Sequence, residues 1–112
     1  MKALFIELPA FSRYRDDYLD DKMFRKLQNS MLKNPESGDV IEGTGGLRKL
    51  RHGDPRRSKG KRGGLRVIYY WWDGARQFWL FTLYDKDEMD NLNPDEKKAL
   101  KCMLKNELEA RR

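Results

Sequence analysis

Between Arg48 and Arg66 the chain places nine of its 24 basic residues: Arg48, Lys49, Arg51, Arg56, Arg57, Lys59, Lys61, Arg62 and Arg66. Asp54 is the only acid among them. The glycines of "KGKRGGLR" (Lys59 to Arg66) remove steric bulk, so backbone N–H groups can approach an anion. A guanidinium holds a phosphate through two hydrogen bonds, whereas an ammonium acts as a point charge. The competing reading is a solvated loop, but a solvated loop is expected to mix signs and so limit self-repulsion. Arg66 differs from the loop cations because it opens "LRVIYYWW", a run of β-branched and aromatic residues. Alternation sets Arg66, Ile68, Tyr70 and Trp72 on one face of that strand and Leu65, Val67, Tyr69 and Trp71 on the other. An arginine in an apolar strand needs a partner. A carboxylate and a phosphate both remain open on these residues alone. Tyr84 ends the next run, "FWLFTLY", on a face shared with Phe78, Leu80 and Thr82, and Lys86 follows. A hairpin at "DGAR" brings Tyr84 to the same sheet end as Arg66. The set can hold a phosphate and move a proton beside it.

Other chemistries are excluded. His52 is the only histidine, which rules out a two-histidine ribonuclease. Cys102 is the only cysteine, so neither an intramolecular disulfide nor a cysteine metal cluster is possible; packing beside Met103 is its expected role. "DKDEMD" (Asp85 to Asp90) lacks the glycine and spacing of a calcium loop. "GTGG" does not continue as a phosphate-binding P-loop. No metal and no cofactor are expected. Trp71, Trp72 and Trp79 could stack on bases, but core or partner packing accounts better for them.

The elements that must position these groups fit one domain spanning residues 1–112. Aromatics at 12% argue against disorder, and a net charge of +6 favours a nucleic acid or an acidic protein as partner. The N-terminal "MKALFIELPAF" lacks the apolar core of a signal peptide, and no run approaches the roughly 18 apolar residues of a membrane helix. A reducing cytoplasm and no membrane partner are expected. "ALFIEL" reads as a strand ended by Pro9, which can open a helix. Asp20 caps a second helix, with Met23, Phe24, Leu27 and Met31 as its apolar stripe. "LRKLR" (Leu47 to Arg51) is a short strand with basic residues on both faces. The Asp-Gly of "DGAR" is a hairpin signal. Asn93, Pro94 and Glu96 form a capping box at the start of a last helix, where Leu100, Leu104 and Leu108 recur. The order β-α-α-β-β-β-α defines an α+β class.

The strings "GDVIEGTGGLRKLR", "GKRGGLRVIYY" and "LFTLYDKDEMDNL" resemble the HigB-type toxins of bacterial toxin–antitoxin modules, in particular the HigB-2 subgroup, within the RelE/ParE superfamily. The resemblance runs from about Phe5 into the last helix. It implies a small RelE-like fold, a twisted and mostly antiparallel sheet with two N-terminal helices and a C-terminal helix. It also implies ribosome-dependent cleavage of mRNA, arrest of translation, and neutralisation by a HigA-type antitoxin. Lys59 and Lys61 match the loop lysines of the family, Arg66 the strand arginine, Tyr84 the terminal tyrosine and Lys86 the lysine of a "YGK" motif. Here the motif reads "YDK", with Asp85 in place of glycine.

The expected catalytic set is therefore Lys59, Lys61, Arg66, Tyr84 and Lys86, with Arg48, Arg51, Arg57 and Arg62 binding RNA. The expected reaction is attack of the RNA 2′-hydroxyl on the adjacent phosphorus. Arg66 holds the non-bridging oxygens, Lys61 or Lys59 assists deprotonation, and Tyr84 orients the substrate. The expected partners are the antitoxin, the ribosome and mRNA, with the free toxin a monomer. Two alternatives stay open: a non-catalytic nucleic-acid-binding module, and a gyrase poison of the ParE type, which shares the fold.

Overall fold

The computed structural model describes residues 2–53, 64–86 and 91–111. Strand β1 (Leu4–Glu7) leads through Leu8 into helix α1 (Pro9–Tyr18), whose first position takes proline because its N–H has no helical partner to lose. Helix α2 (Asp21–Lys33) starts where the Asp20 carboxylate accepts the Met23 N–H at 2.8 Å. It buries Met23, Phe24, Leu27 and Met31, the stripe read from the spacing. The chain then forms β2 (Asp39–Val40), β3 (Arg48–His52), β4 (Leu65–Trp72) and β5 (Gln77–Asp85), and closes with helix α3 (Pro94–Ala110). The Asn93 side chain accepts the Glu96 N–H at 2.8 Å and the Glu96 carboxylate accepts the Asn93 N–H at 2.9 Å, completing the expected capping box. The architecture is the α+β arrangement expected, with the two-residue β2 added at one edge.

The sheet order is β1-β5-β4-β3-β2. Only the β1–β5 pair is parallel; the others are antiparallel. Its two faces carry separate cores. Helices α1 and α2 cover Leu50, Leu65, Val67, Tyr69, Phe78, Leu80 and Leu83. Helix α3 covers Leu47, Ile68, Trp79, Phe81 and Tyr84 with its own Leu100 and Leu104.

Three local expectations are corrected. Phe78 and Leu80 do not share a face with Tyr84; they lie in the α1/α2 core, and Tyr84 lies under α3. The cause is a β-bulge. Ile68 pairs with Thr82 but Tyr69 pairs with Leu80, so β5 holds one extra residue and its alternation inverts there. The hairpin is not closed by an Asp-Gly pair at positive φ. Asp73–Ala75 form a single 3-10 turn, and Arg76 takes the left-handed position at φ 52°. Cys102 is exposed rather than packed, because Leu100 and Leu104 set the buried stripe of α3 and a residue midway between them faces outward.

Candidate active site

Three strands present one row of side chains beneath α3. Arg51 of β3 is the register partner of Arg66 on β4, and Arg66 is the partner of Tyr84 on β5. Two like charges directly opposite each other destabilise a sheet. Here they sit beside a cleft of about 230 Å³ lined by Lys49, Arg51, Tyr84, Asn91 and Lys97, with Asp39 at its rim. Lys49 joins Arg51 on this face because alternation in β3 turns Leu50 into the opposite core. Lys97 reaches the cleft from α3, placed by the capping box one turn before it.

Arg66 is 4% exposed. Its Nη1 donates to the carbonyl oxygens of Gly64 (3.4 Å) and Leu65 (3.2 Å), among other contacts. These contacts hold the guanidinium in place. Arg51 lies 3.7 Å from the Asp39 carboxylate, with both groups largely in solvent, so the pair contributes little stability. Tyr84 is 5% exposed, and its hydroxyl finds no hydrogen-bond partner among the described residues. A buried hydroxyl left without a partner is costly, which is tolerable where a ligand supplies one. Burial raises the Tyr84 pKa above its ordinary 10.0; Arg66 works against the shift and Glu96 adds to it. Tyr84 is thus a neutral hydrogen-bond donor.

Lys49 has the opposite character. Burial lowers its pKa below the ordinary 10.5, and the charges of Arg51 and Arg66 push the same way. Asp39 opposes the shift and Lys97 adds a little to it. Burial, assisted by the neighbouring cations, therefore favours the neutral form of Lys49, which can accept a proton.

Of the residues expected from the sequence, the fold brings Arg51, Arg66 and Tyr84 together. Arg48 is on the other face of β3, where its guanidinium donates to the carbonyls of Glu36 (3.1 Å) and Gly38 (2.8 Å) and lies 3.4 Å from the Glu36 carboxylate. Lys86 is exposed just past β5, and its backbone N–H bonds Gly64 O at 3.3 Å. Asp85 is fully buried, and strand alternation places it away from Tyr84 and the cleft. Arg57, Lys59, Lys61 and Arg62 lie outside the described residues. Trp79 is fully buried, and Trp71 and Trp72 pack against the two cores, so the packing reading of the tryptophans holds. Lys49, Asn91 and Lys97 were missed. The signal for Lys49 was present in "LRKLR", where it alternates with Arg51, but Asn91 and Lys97 are recruited by the docking of α3. The described residues hold no group of three or more His, Cys, Asp or Glu side chains arranged to bind a metal ion, and no helix long and apolar enough to cross a membrane.

Comparison with known proteins gives two findings. The family model described as the RelE toxin of the RelE/RelB toxin–antitoxin system matches residues 10–112. Among solved structures, a double-mutant form of E. coli toxin RelE in the free state is similar, with a TM-score of 0.50 and 16% identity over 80% of this chain and 90% of that one. At that identity the likeness concerns the fold.

Proposed function

The chain belongs to the RelE toxin family of toxin–antitoxin systems, and on that premise we propose that it is a ribosome-dependent mRNA endoribonuclease of the HigB type. The observation that carries this reading is the convergence of Lys49, Arg51, Tyr84 and Lys97 on one small cleft, with Arg66 buried beside Tyr84. A single phosphodiester meets cations, a neutral donor and a proton acceptor there.

In this reading the RNA 2′-hydroxyl attacks the adjacent phosphorus and the 5′-oxygen departs. Lys49 in its neutral form takes the hydroxyl proton. Arg66 and Arg51 stabilise the charge that develops on the non-bridging oxygens, where fixed donors act most strongly. The Tyr84 hydroxyl donates to a phosphate or sugar oxygen and so gains its missing partner. Lys97 holds the strand from the α3 side. Lys59, Lys61, Arg57 and Arg62 belong to the connection between β3 and β4; they and Lys86 grip flanking phosphates, with Lys59 or Lys61 able to share the proton transfer. Arg48, already bonded to backbone carbonyls, positions the chain rather than the RNA. The ribosome aligns the mRNA, which lets a weak acid–base set suffice. The protein works in the cytoplasm as a monomer until a HigA-type antitoxin binds it. No metal or cofactor enters this scheme.

A translation extract programmed with a defined mRNA tests the reading. Cuts within translated codons, with 2′,3′-cyclic phosphate ends, are expected, and free RNA should stay largely intact. RNA bound but uncut would leave a binding module. DNA damage with translation untouched would mark a gyrase poison.

A further inference from the structure

The carboxyl end of α2 and the outer edge of β3 enclose a second trough, of about 470 Å³. It shares Asp39, Lys49 and Arg51 with the catalytic cleft, so the two adjoin along β3. The trough exists because β2 is so short. Only Lys49 and Arg48 find register partners on it, in Asp39 and Val40, so β2 leaves the edge from Leu50 to His52 uncovered. The volume lies within the range of roughly 300–1,000 Å³ typical of ligand sites. The catalytic cleft, at about 230 Å³, takes a phosphate and little more.

One wall of the trough is the turn from Asn34 to Gly38, and it is fastened from below. The Tyr69 hydroxyl donates to Pro35 O at 2.7 Å and accepts the Gly38 N–H at 3.1 Å. Arg48 holds the Glu36 and Gly38 carbonyls. The Ser37 N–H bonds Asn34 O at 3.1 Å. A Cβ at Gly38 would come within 2.9 Å of the Tyr69 ring, so the approach depends on glycine. This surface turn is therefore anchored by a fully buried tyrosine and a half-buried arginine, as a preorganised recognition element would be. Of the polar side chains on the turn, Glu36 pairs with Arg48 and Ser37 hydrogen-bonds Tyr69, which leaves that of Asn34 uncommitted. Asn34 and Ser30 line the trough, and neither side chain makes a hydrogen bond among the described residues. Lys33 stands exposed beside them.

We propose that this trough is a nucleobase subsite that seats the base next to the scissile phosphate against Asn34 and Ser30. The proposal rests on the reading of the adjoining cleft as an RNA site. A carboxamide and a hydroxyl both donate and accept, which suits the Watson–Crick edge of an unstacked base. Among the described residues no Phe, Tyr or Trp lines the trough and His52 offers its one flat ring, so hydrogen bonds and not aromatic stacking select the base. Lys33 holds the phosphate beyond that base, while Lys49 and Arg51 bridge the two compartments.

The test uses the full chain and two readouts. One is binding of short single-stranded RNAs with 2′-fluoro sugars, which lack the attacking hydroxyl, varied one base at a time. The other is the base profile around cuts in a randomised mRNA translated in extract. The wild type should distinguish bases at one position by about 5- to 150-fold, the discrimination of one good paired contact. Asn34→Ala should flatten both profiles while binding of the least favoured base changes little. Ser30→Ala decides the matter if Asn34→Ala does not fold. A uniform loss across all bases would show Asn34 to be merely structural and overturn the subsite. Cleavage whose base preference ignores both variants overturns the subsite and leaves the nuclease. Base-selective binding lost in Asn34→Ala, with no cleavage under any condition, supports the subsite and overturns the nuclease.

Discussion

Replacing Lys49 by arginine separates holding a phosphate from accepting a proton. Arginine keeps the charge and the reach but stays protonated at any working pH. Burial, Arg51 and Arg66 lower the Lys49 pKa, and each unit of lowering multiplies the neutral fraction at neutral pH about tenfold. If neutral Lys49 is the base, single-turnover cleavage on programmed ribosomes should rise about tenfold per pH unit until that pKa is reached. Lys49→Arg should bind RNA nearly as well yet cut about 100- to 10,000-fold more slowly, the usual worth of a positioned base. Its rate should lose the pH slope. Lys97→Met gives an internal control with a defined sign. Lys97 lowers the Lys49 pKa, so its removal raises that pKa and moves the rising limb to higher pH. A Lys49→Arg variant that cleaves at the wild-type rate with an unchanged slope would refute the assignment and return the proton transfer to the β3–β4 connection.

Four further outcomes are expected. Lys49→Met should be inactive while its urea midpoint stays at or above that of the wild type. The folded-state pKa lies below the unfolded one, so charged Lys49 costs stability below the folded value, and stability rises with pH between the two. Tyr84→Phe should keep or raise the melting temperature, since it deletes a buried hydroxyl with no partner among the described residues, while cleavage falls about 100-fold or more. Arg66→Ala should lose about 100- to 1,000-fold in cleavage rate with ribosome binding retained in a pelleting assay. Gly38→Ala should cost about 1–3 kcal/mol by overpacking against Tyr69 and the Lys49 backbone, measured by chemical denaturation against Gly43→Ala. At Gly43 a Cβ meets nothing within 4 Å, and only the φ of 84° is strained.

Where one segment carries its own signal, the sequence was readable. The apolar stripe of α2, the Asn93–Glu96 box and the alternation of β4 each depend on residues within a turn or two, and each is found as expected. That Tyr84 reaches the sheet end of Arg66 was also legible, through the hairpin between their strands, but their direct pairing depends on the bulge and was not. Groups that depend on distant contacts were not. Nothing near Lys97 marks it as a neighbour of Lys49; that follows from α3 lying over the sheet and from the register of β3 on β4. The turn from Asn34 to Gly38 looks like an ordinary helix stop until Tyr69 is seen to hold it from another strand.

The extra residue in β5 has a consequence for how this chain can change its length. Phe78 and Leu80 feed one core and Tyr84 the other face only because the count between them is off by one at the bulge. Deleting Phe81, the residue left unpaired there, would restore regular pleating without exchanging the two sides, since Tyr69 would still meet Leu80 and Ile68 would still meet Thr82. The Tyr84 phenol would stay opposite Arg66, and Asp85 would stay opposite Leu65 on the α1/α2 side. The linker Asp73–Arg76 lies outside that count and can gain or lose residues without touching it. A one-residue loss is therefore accommodated at the bulge as well as at the hairpin tip. A single-codon deletion of Phe81 should keep the cleft assembled, its cost being the buried ring lost from the α3 core.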